Sequence, residues 1–255
     1  MLKTLKSFFR KITTPAIRYK HHPVNLKLEK LGSDYGGWII PIQLINERSV
    51  CYLVGAGEDI SFDVELASRF HCSVYIFDPT PKAKAHFEML VNSAITGTPF
   101  YINNNPVHPY KINKEAIRHL KFYDIGIWTK KDILKFFSPQ DDTHVSHSIS
   151  NLQQTNSYFE AQVERLSEIM RINQHEGLDI VKLDIEGAEY EVIDSILRDN
   201  LFIKILCVEF HLLKNKGGFK LIQSTVSKLE KNNYFVIAKE GLDFTFLNKN
   251  SIVNI

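Results

Sequence analysis

The chain has 255 residues, of which 44% are hydrophobic and 24% charged, and a formal net charge of +2. This length suits one large domain with appendages better than two full domains, and so mild a charge gives no ground for a nucleic-acid partner. Cys51, Cys72 and Cys207 are odd in number, lie in or beside apolar runs and share no metal-ligand spacing, which points to reduced thiols in a cytoplasmic protein. No apolar stretch approaches the ~18 residues of a membrane span.

The first twelve residues, MLKTLKSFFRKI, set Leu2, Leu5, Phe8, Phe9 and Ile12 at helical spacing with Lys3, Lys6, Arg10 and Lys11 between them. They lack the continuous apolar core of a signal peptide. The pattern predicts a basic amphipathic helix in an N-terminal extension over 1–32, packed on its own domain or on a second subunit of a homo-oligomer. The alternative is peripheral contact with a membrane surface. Next comes YGGWIIP (Tyr35–Pro41), whose Tyr35 and Trp38 suit either an aromatic wall over a ligand or packing of the N-terminal segment onto a sheet.

From Val50 onward strands and helices alternate. VCYLV (Val50–Val54) and SVYIF (Ser73–Phe77) are continuous apolar runs, as expected of parallel strands buried on both faces. Between them, SFDVELASRF (Ser61–Phe70) places Phe62, Leu66 and Phe70 on one helical face. A second helix is predicted over Lys82–Ala94 and a third strand over His119–Trp128, with DILKFF (Asp132–Phe137) as a hairpin partner or added strand. The polar stretch over 138–162 has no sustained period and reads as an irregular loop or lid. Then follow a helix around RLSEIMRIN, a strand over Asp179–Leu183, a helix over Ala188–Asp199, a strand over Ile203–Phe210 and a helix over Phe219–Lys231. YFVIAKE and DFTFLNK, separated by GL, close the chain as an antiparallel hairpin at the sheet edge.

The order strand, glycine turn, helix, strand, acid is how a doubly wound α/β domain holds a nucleoside-containing cofactor. In GAGEDI, Gly55 and Gly57 follow the strand, but Ile60 stands where a dinucleotide fingerprint has its third glycine. With Glu58 at the helix start, a phosphate would meet a carboxylate, whereas S-adenosylmethionine carries a sulfonium and an ammonium that nearby acids favour. Asp78 ends the second strand, outside the core, where a carboxylate can accept both ribose hydroxyls. The bland alternative makes Gly55–Gly57 a tight turn and Asp78–Pro79 a loop start. Further on, KLDIEGAE (Lys182–Glu189) crosses from strand to helix and brings Asp184 and Glu186 to the carboxyl edge of the sheet. Glu189 is read as a helix-start acid favoured by the dipole.

YGGWIIP, VGAGEDISFD (Val54–Asp63), FDPTP (Phe77–Pro81), VSHSI (Val145–Ile149), KLDIEGAE and CVEFH (Cys207–His211), in this order, resemble the FkbM-type methyltransferases from about Ser33 to His211. The resemblance implies a Rossmann-like seven-stranded sheet, mostly parallel with an antiparallel C-terminal hairpin, in a methyltransferase domain over 33–255. It implies transfer of a methyl group from S-adenosylmethionine, leaving S-adenosylhomocysteine, to a hydroxyl of a carbohydrate or similar metabolite. On that pattern Gly55, Ala56, Gly57 and Glu58 line the methionine end of the cofactor, Asp78 and Pro79 the ribose, and Asp124, Ile125 and Gly126 approach the adenine, with Asp184 and Glu186 beside them.

A hydroxyl acceptor has to lose a proton, so a base is expected near it. His147, flanked by Ser146 in the irregular loop, is the first candidate, His211 the second and Asp184 the third; His144 reads as a surface residue. Tyr35, Trp38, Ser146 and Glu209 are the expected acceptor contacts, although Glu209 also suits an ion pair with Lys182. Asp184, Glu209 and His211 together have the donor types of a divalent-metal site, and metal dependence is left open. Two other readings stand beside this one: a nicotinamide-dependent oxidoreductase, and a non-catalytic protein that keeps the fold for binding.

Overall fold

Continuous apolar runs become strands only where both faces are covered, and VCYLV is such a place. In the computed structural model, which describes residues 17–20, 25–102, 108–137, 149 and 155–251, it forms β3 (Val50–Val54) at the centre of a seven-stranded sheet. The preceding strands β1 (Leu28–Leu31) and β2 (Trp38–Pro41) make a separate antiparallel hairpin. The main sheet runs β5, β4, β3, β9, β10, β12, β11, with β4 (Ser73–Phe77), β5 (Leu120–Tyr123), β9 (Gly177–Leu183), β10 (Phe202–Glu209), β11 (Tyr234–Glu240) and β12 (Asp243–Asn248). All neighbours are parallel except β12, which is antiparallel to both β10 and β11.

The chain builds outward from β3 to β5 and then returns to β9 on the other side of β3. That reversal opens a crevice at the carboxyl ends of β3 and β9, where open α/β sheets bind ligands. Register pairs Val54 with Leu183, so Gly55 and Asp184 leave the sheet side by side.

Alternation within each buried strand feeds two cores. Tyr52, Val54, Phe77, Val181 and Leu183 face the helices α3 (Leu166–Ile172), α4 (Glu189–Arg198) and α5 (Phe219–Lys231). Cys51, Leu53, Val74, Ile76 and Ile180 face α1 (Ser61–Phe70), α2 (Pro81–Thr96) and the hairpin residues Leu31 and Ile40. The helices stop where their residues dictate. Thr80 caps α2 by accepting from the Ala83 amide, with Pro81 in the first position, and Gly97 ends it at φ +78°.

The fold class is the expected one: a Rossmann-like, mostly parallel seven-stranded sheet with an antiparallel C-terminal hairpin. Two local expectations are corrected, and one element is added. The predicted third strand breaks in two: β5 stays in the main sheet, while β6 (Gly126–Trp128) joins β7 (Asp132–Phe137) and β8 (Tyr158–Arg165) in a three-stranded sheet of order β6, β8, β7. A side chain at Gly126 would stand 3.0 Å from the Phe136 and Val163 side chains, a tight fit that they would have to give way to admit. Residues 158–162, read as the end of the irregular loop, belong to β8. The hairpin β1–β2 was not foreseen; it spans position 33, and its strands are only 4 residues each, too short for a period to register.

The amphipathic stretch 1–12 lies outside the described residues. Just after it, Ile17 is buried in the core, and the Arg18 backbone exchanges hydrogen bonds of 2.8 Å with the Gln223 side chain of α5. Among the described residues no helix is long and apolar enough to cross a membrane.

His86, buried in α2, has Nε2 2.8 Å from the Tyr110 hydroxyl, which accepts the Ile60 amide at 3.1 Å. The hydroxyl is thus free to donate to a neutral ring. Burial pushes the His86 pKa down to about 4, against weak opposition from Asp59. A depressed histidine pKa means that the unfolded chain binds the extra proton first, so stability falls as pH drops from about 6.5 toward 4. At ~1.4 kcal/mol per pKa unit the loss comes to roughly 3 kcal/mol. Urea midpoints at pH 7 and pH 4.5 should converge in His86→Phe relative to wild type; an unchanged gap would show that His86 does not carry this acid sensitivity.

Candidate active site

Four chain crossings meet at the carboxyl edge: the glycine turn after β3, the Asp78 turn after β4, the Asp184–Ala188 turn after β9 and the His211 segment after β10. Gly55 and Gly57 have φ of +84° and +55°, a region that glycine enters without strain. Space is the harder constraint at Gly55, because a methyl group there would overlap the Asp184 carbonyl oxygen. The turn after β3 therefore lies directly on the crossing after β9.

The amides of this turn are already taken by protein. Asp78 Oδ2 accepts from Ala56 N at 2.8 Å and Gly57 N at 3.0 Å, while Oδ1 accepts from the Thr80 amide at 2.8 Å and its hydroxyl at 2.6 Å. Four donors fill the acceptor positions of a carboxylate. At the start of α1 the Ile60 amide goes to Tyr110, and the Ser61 amide to Asp59 Oδ1 at 3.1 Å. A pyrophosphate needs such amides free, and here they are closed by acids and a phenol. Asp78 is 5% exposed, so the expectation that it stands outside the core is corrected: it anchors the turn.

Lys182, 5% exposed on β9, donates to the Gly55 carbonyl and lies 3.5 Å from Asp184 Oδ2. Burial disfavours its charge, but Asp184, Asp63, Glu209 and Asp78 outweigh that and hold its pKa above the usual lysine value. Its ion pair is with Asp184, not with Glu209 as expected. Buried Asp63, in the first turn of α1, has its pKa pushed up to about 6 by burial, with Lys182 pulling the other way. Its Oδ1 has no hydrogen-bond partner.

Glu209 ends β10 with Oε1 4.0 Å from His211 Nε2. Burial and then the Asp184 and Asp243 carboxylates push its pKa up to about 8. The His211 Nε2 also lies 3.2 Å from Glu186, which sits in a left-handed turn at φ +51°. Burial works against charge on His211, but Glu189, Glu186 and Glu209 overcome it and raise the pKa to about 10. The imidazolium is then a donor rather than a proton acceptor at neutral pH. Asp184, Glu186 and His211 each offer a ligand atom within 4.8 Å of the others, a donor set and spacing that suit a divalent cation.

The remaining expected residues are distributed unevenly. Tyr35 is 86% exposed at the hairpin tip, within electrostatic reach of Glu209, Asp184, Glu186 and Asp59. Its turn is fastened to α1 by Ser33, whose hydroxyl donates to Asp59 at 2.6 Å. Trp38 is buried in the core with Leu31 and Ile40, which removes it from a ligand wall. Asp124 makes a 2.9 Å surface ion pair with Lys84, Ile125 packs on the sheet core, and Gly126 sits under Phe136 near Pro79. Beside Tyr123 and Ile125 a cavity of about 390 Å³ opens between the small sheet and α3. His144, Ser146 and His147 lie outside the described residues.

The model of the methyltransferase FkbM domain matches residues 54–236, more than half of the chain and every crossing just described. The chain belongs to the FkbM methyltransferase family. No curated protein sequence matches it significantly. Among solved structures it is similar to precorrin-6y C5,15-methyltransferase from Geobacter metallireducens GS-15, at 10% identity and a TM-score of 0.41, covering 80% of this chain and 84% of that one. It is also similar to the Methanococcus jannaschii fibrillarin pre-rRNA processing protein, at 9% identity and a TM-score of 0.42, covering 80% of this chain and 68% of that one.

Two residues that hold this FkbM site together have other roles in the sequence reading, Lys182 as a partner of Glu209 and Glu189 as a helix-start acid. Lys182 interrupts an otherwise apolar strand, and that interruption was the only available sign of a buried counter-ion. Glu189 looked like any acid in a first helical turn.

Proposed function

We propose that this methyltransferase uses S-adenosylmethionine and transfers its methyl group to a hydroxyl of a carbohydrate or similar metabolite. The observation that carries the reading is the closed glycine turn: the amides that would hold a pyrophosphate are bonded to Asp78, Tyr110 and Asp59. That disfavours the nicotinamide alternative. A cofactor whose methionine end is cationic instead gains from Glu58, Asp184 and Glu186 around the crevice. Asp78 already takes four donors and has no acceptor position left for a ribose diol, so its part in cofactor binding is to hold the turn, which corrects the expected direct contact with both ribose hydroxyls.

In the transfer, the acceptor oxygen forms a bond to the methyl carbon as the carbon–sulfur bond breaks, and the positive charge on sulfur disappears. Alignment and exclusion of water supply much of the rate. The hydroxyl proton goes to a base. His147, outside the described residues, remains the first choice, because a loop histidine closing over the acceptor brings a base and excludes water together. The charged state of His211 favours a role in holding carboxylates, and Asp184, paired with Lys182, suits orientation better than proton removal. Tyr35, exposed at the hairpin tip, and the half-buried Glu209 at the end of β10 are the acceptor contacts.

Incubation with methyl-labelled S-adenosylmethionine and a panel of glycans, nucleotide sugars and small alcohols tests this. The expected product is a labelled methyl ether. Label on nitrogen or carbon alone, with no ether from any acceptor, would overturn the hydroxyl assignment.

A further inference from the structure

A first-turn acid gains from the helix dipole while it stays in water, yet Glu189 is fully buried. Burial of a carboxylate costs several kcal/mol unless good partners offset it. Its partners come from two different crossings. Oε2 accepts the Gly187 amide at 2.8 Å, and Oε1 accepts the His211 amide at 2.6 Å. The next residue, Tyr190, donates its hydroxyl to the His211 carbonyl at 2.7 Å. Two consecutive residues of α4 thus fix both backbone groups of His211.

The ring is held as well. Nδ1 is buried 3.5 Å from Glu189 Oε1, an ion-pair distance with no hydrogen bond formed, while Nε2 looks the other way, toward Glu186 at 3.2 Å and Glu209 at 4.0 Å. The result is a carboxylate–imidazole–carboxylate row running from the core to the crevice. It joins KLDIEGAE and CVEFH, which are remote in sequence, into one unit.

We propose that Glu189 is a positioning residue: with Tyr190 it sets the backbone and ring of His211, so that Nε2 holds Glu186 and Glu209 in place at the crevice. Its meaning for the reaction rests on reading that edge as the acceptor side of a methyltransferase; its structural half does not. A displacement of about 1 Å in groups that align reactants can cost on the order of 100-fold in rate. Glu189 therefore matters to turnover without touching the acceptor.

The test uses the full chain with ¹⁵N-labelled histidine rings, the His211 signals being assigned by their loss in His211→Gln. Glu189→Gln keeps the shape but removes the charge behind Nδ1 and sets an N–H₂ against one of the two backbone N–H donors, Gly187 or His211. Both ring nitrogens of His211 should shift by several ppm while those of His86 and His175 stay in place. Turnover of the labelled-ether reaction should fall roughly 10–100-fold, with S-adenosylhomocysteine affinity near wild type. If the glutamine protein does not fold, Glu189→Asp keeps the charge one methylene short, and displaced or unmoved His211 signals decide in the same way. Unmoved signals overturn the proposal whatever the enzyme does. Displaced signals with wild-type turnover overturn its role in the reaction, and displaced signals in a protein that methylates no acceptor would instead overturn the reading of the edge.

Discussion

Gly55→Ala is expected to destabilise the protein by about 2–5 kcal/mol and to abolish cofactor binding. The strain of a non-glycine residue at φ +84° is the smaller part of this. The larger part is the overlap of the new methyl group with the Asp184 carbonyl oxygen, a backbone atom held by the β3–β9 register. Relief requires the turn after β3 and the crossing after β9 to separate, which moves the Ala56 and Gly57 amides from Asp78 and the Gly55 carbonyl from Lys182. Chemical denaturation and calorimetry on the variant measure the two effects. A wild-type midpoint with wild-type affinity would mean that the turn does not lie on the Asp184 crossing.

Lys182→Met is expected to cost about 3–5 kcal/mol at neutral pH, the usual result of removing one partner from a buried ionic group. Methionine fits the volume, so the loss comes from charge: Asp63 and Asp184 are left without their cation, and the Gly55 carbonyl without a donor. The defect should depend on pH in a definite direction. Buried Asp63 already has a folded-state pKa near 6 against 3.8 in model compounds, and loss of Lys182 raises it further. A carboxyl group with a raised folded-state pKa contributes stability below its unfolded value and loses it as pH rises through the folded one. Lys182 itself stays charged throughout this range. The variant should therefore be closer to wild type at pH 5 than at pH 8, as read from urea midpoints at the two values. An equal deficit at both, or none, would show that Lys182 is not the counter-ion of the buried acids.

The parts of this fold legible in sequence are those whose signal is local. Helix α5 falls on Phe219–Lys231 as expected because its apolar stripe and its ends are contained in the segment. β3, the glycine turn, α1 and β4 were readable for the same reason. The misses depend on contacts between distant segments. At Gly126 the tight neighbours are Phe136 and Val163 of the small sheet, which no local pattern records. Trp38 suits a ligand wall and the core equally by its local sequence, and the packing of the hairpin against α1 places it in the core.

The site divides along the same line. Asp184 and Glu186 were found because a strand end followed by a helix start places acids at the carboxyl edge. That Asp78 closes the glycine turn and that Glu189 reaches His211 are facts about neighbours more than 20 residues apart, and that Lys182 pairs with Asp184 two residues on, rather than with Glu209 on the next strand, depends on how the side chains turn at the sheet edge. A polar residue in a buried strand says that a partner exists. It does not say which.

On the proposed function the closed glycine turn takes S-adenosylmethionine and not a dinucleotide. Isothermal titration of the full chain with S-adenosylhomocysteine and, separately, with NAD at the same concentrations tests it most directly. Saturable one-to-one binding of S-adenosylhomocysteine with no heat from NAD is the predicted result; NAD binding without S-adenosylhomocysteine binding would contradict it.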